Sequence, residues 1–122
     1  MPAIIKCMLN DAEMLHYDKS LSLTEKQLNV LNQIDSQMDK GINLSGEHID
    51  KPDRIQKAQF VAFSLLSALE NNNDQQAIAF FSYLVNKVEN LKQLKAIGEK
   101  GKYKVEFVMD KDFSNWQKIE FH

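Results

Sequence analysis

The sequence predicts an α+β fold, on three observations. Apolar residues recur at helical spacing between Leu28 and Met38, and again over much of 52–97. Strict alternation runs from Lys102 to Met109. The N-terminal run Ala3–Leu9 is β-branched and apolar. The expected architecture is a three-helix core, a helical hairpin over 52–97 plus a helix over 24–40. A small antiparallel sheet, formed by the N-terminal strand and a C-terminal β-hairpin, would pack on it. With 122 residues, 43% hydrophobic and 26% charged, the chain fits a single α+β domain, 1–122.

In the first strand, 3–9, Ile5, Cys7 and Leu9 would share one face. Asn10-Asp11 suits a turn or a helix cap, and 11–17 could form one or two helical turns presenting Met14, Leu15 and Tyr17. Thr24 suits an N-cap with Gln27 three residues on as a capping box, and Leu23 and Leu28 form a hydrophobic staple. Leu28, Leu31, Ile34 and Met38 make a narrow stripe, which places this helix on the outside of the bundle, and Gly41 ends it. Residues 41–51 form the longest loop, anchored by Ile42, Leu44 and Ile49.

Pro52 suits the first turn of the second helix, which runs to about Glu70. Ile55, Ala58, Ala62, Leu65, Leu66 and Leu69 share one face, whereas Phe60 and Phe63 lie on the opposite flank. A helix apolar on two sides is buried on two sides. Asn71–Asp74 turns the chain into the third helix, capped by Asn73 or Asp74 and ended by Gly98, with Ile78, Phe80, Phe81, Leu84, Val85, Val88, Leu91 and Leu94 on its apolar half. Tyr103, Val105, Phe107 and Met109 then line one face of a strand. A turn over 110–115 leads to a second strand, 116–121.

Composition excludes more than it identifies. Cys7 is the sole cysteine, so no intrachain disulfide is possible and nothing argues for an oxidising compartment. The start lacks the pattern of a signal peptide, and the longest uncharged stretches are shorter than the roughly 18 residues of a membrane span. The expected location is cytoplasmic, with no membrane association, in the style of a small bacterial protein. Net charge is −2, with 7 basic and 11 acidic residues over 1–85 and 8 basic and 6 acidic over 86–122. Arg54 is the only arginine. The guanidinium fork that reads phosphate and guanine is therefore scarce, which argues against a nucleic-acid partner.

Cys7, His16, Asp18, Glu47, His48 and His122 have no metal-ligand spacing, so no metal is expected. Gly98-Glu-Lys-Gly101-Lys102 is two residues short of a P-loop and has Tyr103 where Ser or Thr should stand. No nucleophile–base pairing is legible, and no cofactor is implied. The lysines at 87, 92, 95, 100, 102 and 104 suit the end of a helix, where the dipole favours cations.

Two candidate sites remain. Phe60 and Phe63 would be the interface with a protein partner or, in a homodimer, a second copy. Glu47, His48, Asp50 and Arg54 would line a ligand-binding or catalytic cleft beside the 41–54 segment, converging with Tyr83. The expected function is non-enzymatic, through protein–protein contact or regulation, with the small-molecule-binding or catalytic cleft as the alternative.

Overall fold

The computed structural model describes residues 4–44, 46–88, 90–99, 102–109 and 119–120. The fold is α+β and comprises two compact units. One combines the residues up to Leu21 with those from Val85 onward; the other is Ser22–Leu84.

The first unit is a sheet built from both ends of the chain. Its strands are β1 (Ile4–Leu9), β2 (Ala12–Asp18), β5 (Leu91–Glu99), β6 (Lys102–Met109) and the two-residue β7 (Ile119–Glu120), in the order β2-β1-β5-β6-β7. The sheet is mixed, which corrects the antiparallel expectation: β1 and β5 are parallel, from Lys6↔Gln93 to Leu9↔Ala96. The reason lies in residues 10–18. Asn10 and Asp11 take φ of 49° and 69°, the two positive values that a type I′ hairpin turn requires. Residues 12–18 therefore fold back as β2 rather than coiling into helical turns, and β2 takes one side of β1. The other side is left for β5, reached through the long helical crossover that parallel pairing needs.

Asn10 also locks this junction. Its N–H donates to the Ala96 carbonyl at 2.8 Å. Its side-chain amide donates to the Gly98 carbonyl at 2.9 Å and accepts from the Gly98 N–H at 2.8 Å. The amide side chain thus continues the ladder where the backbone of the first strand has turned away.

The third helix ends at Lys87, well short of Gly98, and residues 91–99 form a strand. Asn90, at φ 62°, takes the left-handed position that the sequence suggested for glycine. The helical spacing of Leu91 and Leu94 is an effect of a bulge. The register slips between Leu91 and Gln93, so two residues three apart are both buried. Beyond the bulge the sheet alternates cleanly. Ile5, Cys7, Leu94, Ala96, Tyr103, Val105 and Phe107 are buried. Lys6, Ile97, Lys102 and Lys104, on the opposite face, are exposed. Of the strand expected at 116–121, Ile119–Glu120 pair antiparallel with Lys104–Val105. Its remaining residues and the 110–115 turn lie outside the described residues.

The second unit is helical. Helix α1 (Glu25–Met38) has the expected capping box, Gln27 N–H donating to Thr24 Oγ1 at 3.1 Å and Thr24 N–H to Gln27 Oε1 at 2.9 Å. Helix α2 (Arg54–Glu70) starts with a second box, between Asp53 and Gln56, so Pro52 precedes the cap instead of opening the helix. Helix α3 (Asp74–Lys87) follows Asn71–Asn73, with Asn72 at φ 56° and Asn73 Oδ1 accepting from the Gln76 N–H. Ile78, expected on the apolar half of α3, is 56% exposed. The segment 41–51 is a small β-hairpin, β3 (Ile42–Leu44) against β4 (Glu47–Ile49). Ile42 and Leu44 anchor it as expected, both buried, and Ile49 is half-buried.

Two outcomes test this account. Gly98 has φ 135°, and a Cβ there would stand 2.4 Å from the Lys102 carbonyl oxygen. Gly98→Ala is expected to cost about 1–3 kcal/mol or more in a urea titration. Burial pushes the Cys7 thiol up from 9.0 to about 12. A thiol reagent at pH 8 should leave folded protein unmodified and label it fully in denaturant.

Candidate functional site

The predicted cleft residues lie on and beside the β3–β4 hairpin. His48 stands opposite Asn43, and its Nδ1 lies 3.1 Å from Asn43 Oδ1. Its Nε2 lies 2.9 Å from Asp50 Oδ1. The ring packs on Gly41, where a Cβ would meet its Cε1 at 3.0 Å. His48 and Asp50 are therefore brought together, with a glycine floor beneath the ring. Both are open to water, their side chains 60% and 87% exposed. Glu47, the next residue along the strand, projects to the opposite side of the hairpin and is exposed. Arg54 opens α2 and is also exposed.

Tyr83 does not join this group. It is buried, and its hydroxyl donates to Asp35 Oδ1 on α1 at 2.7 Å. The same carboxylate oxygen lies 3.3 Å from Lys57 Nζ on α2. Lys57 Nζ also reaches Asp39 Oδ1, at the C-cap of α1, at 2.6 Å. One junction thus ties three helices together: Asp35 and Asp39 from α1, Lys57 from α2 and Tyr83 from α3. Lys57 keeps only 15% of its side chain exposed.

Its electrostatics keep both donors protonated. Burial, reinforced by the Asp35 carboxylate, pushes the Tyr83 phenol well above its ordinary value. The hydrogen bond to Asp39, with Asp35 adding to it, raises Lys57 against the opposing effect of burial. Both donors therefore keep their protons, and with them their hydrogen bonds to the carboxylates, near neutral pH. One signal for this junction was present in the sequence. Asp35 lies four residues after Leu31 and three before Met38, both buried, so it sits on the inner face of α1.

The outward side of α1 carries a shallow depression lined by Asn29, Asn32, Gln33, Ser36, Gln37 and Lys40. Every residue that lines it is polar or charged. Among the described residues, no cluster of three or more His, Cys, Asp or Glu is placed to hold a metal ion. Nor is any helix long and apolar enough to cross a membrane.

Phe60 and Phe63 are half-buried. Around α2, Val61, Ala62, Leu65, Leu66, Ala58 and Ala68 are buried, and only Arg54 and Ser67 are exposed. The second apolar flank is thus partly covered. More open apolar surface lies on the outer face of the sheet, where Ile4 and Ile97 are 39% and 57% exposed. Met8 and Val108 on that face are half-buried.

No protein-family model, curated protein or solved structure matches the chain.

Removing the Tyr83 hydroxyl tests the three-helix junction. Tyr83→Phe should lower stability by about 1–2 kcal/mol in urea unfolding, a range reduced for the solvent reaching half-exposed Asp35. The folded phenol holds its proton above the ordinary 10.0. Its contribution is therefore complete below pH 10 and is lost as pH rises beyond it, so the wild-type excess over Tyr83→Phe should shrink in strongly alkaline buffer.

Proposed function

We propose that this protein works by binding another protein, with a second copy of itself as the first partner to test, and not by catalysis. The observation that carries the reading is the outer face of the sheet. There Ile4, Met8, Ile97 and Val108 are interleaved with Lys6, Lys95, Lys104 and Glu106 on neighbouring strands. Aliphatic side chains among mixed charges are the composition of an interface that forms and dissociates, with an apolar centre and a polar rim. The half-buried Phe60 and Phe63 offer a second, smaller apolar contribution. The cytoplasm is the compartment that fits a lone buried thiol.

Light scattering across a concentration series tests this. The wild-type protein should show a concentration-dependent rise in mass toward a dimer. Ile97→Lys, at an exposed position, should return it to monomer without a change in melting temperature. A monodisperse monomer at high micromolar concentration would turn the search to a different protein partner. If affinity capture from the host then recovered none, the reading would fail.

The other reading places ligand chemistry on the hairpin, and the short contact between His48 and Asp50 favours it. Their exposure leaves no enclosed volume to exclude water, which weighs toward the interaction reading.

A further inference from the structure

Helix α1 is held in an unusual way for an amphipathic helix. It buries only Leu31 and Met38 outright, with Ile34 half-buried. Before Leu31 the helix contributes little, because Leu28 and Val30 are 46% and 36% exposed. Helix α2, by contrast, buries six residues along its length. An apolar anchor as small as that of α1 leaves polar contacts to decide whether the helix stays docked.

Those contacts converge at one place. Asp35 receives the Tyr83 hydroxyl from α3 and Lys57 from α2, and Lys57 continues to Asp39. On the C-terminal side of α1 the chain reaches Gly41, at φ 111°, three residues after Met38. On the N-terminal side, residues 21–24 belong to no helix or strand.

We propose that the junction of Asp35, Tyr83, Lys57 and Asp39 is a latch. While it is closed, α1 is docked on the α2–α3 hairpin; when it breaks, α1 swings free as a unit while the hairpin stays folded. Opening bares Leu31 and Met38 and the hairpin surface beneath them. Every residue in the device belongs to Ser22–Leu84.

Native-state hydrogen exchange on the full chain, followed amide by amide in low denaturant, tests it. In the wild type, amides of residues 29–38 should exchange through an opening with weaker denaturant dependence than that of residues 61–66 in α2. Tyr83→Phe should speed exchange over 29–38 by about five- to thirty-fold. Lys57→Met, which keeps an apolar stem of similar length, should act in the same direction. Ser67→Gly, at an exposed position of α2, should speed exchange in α2 and leave residues 29–38 unchanged. The latch is overturned if both helices share one opening in the wild type, if Ser67→Gly accelerates both together, or if neither junction variant accelerates α1. Failure of Lys57→Met to fold would also overturn it, because the hairpin would then depend on the junction.

Discussion

The parallel pairing of β1 with β5 is the interaction on which the sheet depends. Without it, the β1–β2 hairpin would be an isolated two-stranded ribbon, marginal in water, separate from β5, β6 and the two-residue β7. The pairing joins segments more than eighty residues apart, so its loop-closure entropy must be offset by well-made contacts. Cys7 beside Leu94 and Leu9 beside Ala96 supply apolar burial, and the Asn10 side chain supplies two hydrogen bonds past the end of β1. Gly98 is required at the far end because Asn10 grips its backbone from one side while Lys102 crowds it from the other.

The helical unit solves a different problem. Its hairpin has ample apolar surface, whereas α1 brings little. Polar contacts add little where water competes for both partners, and much more where one partner is withdrawn from it. Tyr83 is withdrawn and Asp35 is half-exposed, so the bond between them lies between those limits. A purely apolar seam could repack in several rotations of α1. A hydroxyl at 2.7 Å from one carboxylate oxygen, with an ammonium on the same oxygen, admits one.

What the sequence made legible was what local chemistry decides. The α1 capping box, the anchoring of Ile42 and Leu44, and the alternation of β6 each follow from residues close together in the chain. The misreadings arose where a local pattern had two meanings. Leu91 and Leu94 are spaced like helix positions because a bulge consumes one residue, and the asparagine that ends α3 was passed over for a glycine eight residues later. Asn10-Asp11 reads equally as a turn or a helix cap, and its hairpin geometry emerges only when both residues adopt positive φ. The three-helix junction was the least legible feature. Its partners are separated by as many as 48 residues, and the sequence places Tyr83 beside the 41–54 cleft instead of against Asp35.

The edges of the sheet bear on how it could meet a partner. An outer strand presents unpaired backbone groups and invites strand addition unless something obstructs it. On β2 the register slips opposite Cys7 and Met8, leaving Met14 as an extra residue that bends the edge. Glu13 and His16 flank the slip, and Glu13 is paired with Lys6 at 3.2 Å. On the other side, β7 already occupies Lys104 and Val105 of β6. Backbone-to-backbone recruitment is therefore obstructed on β2 and partly used up on β6. The outer face has no comparable guard: its lysines and Glu106 sit beside aliphatic side chains instead of displacing them. A partner that meets this sheet would be recognised by side-chain packing across the face, and its affinity would depend more on the fit around Ile97 than on salt.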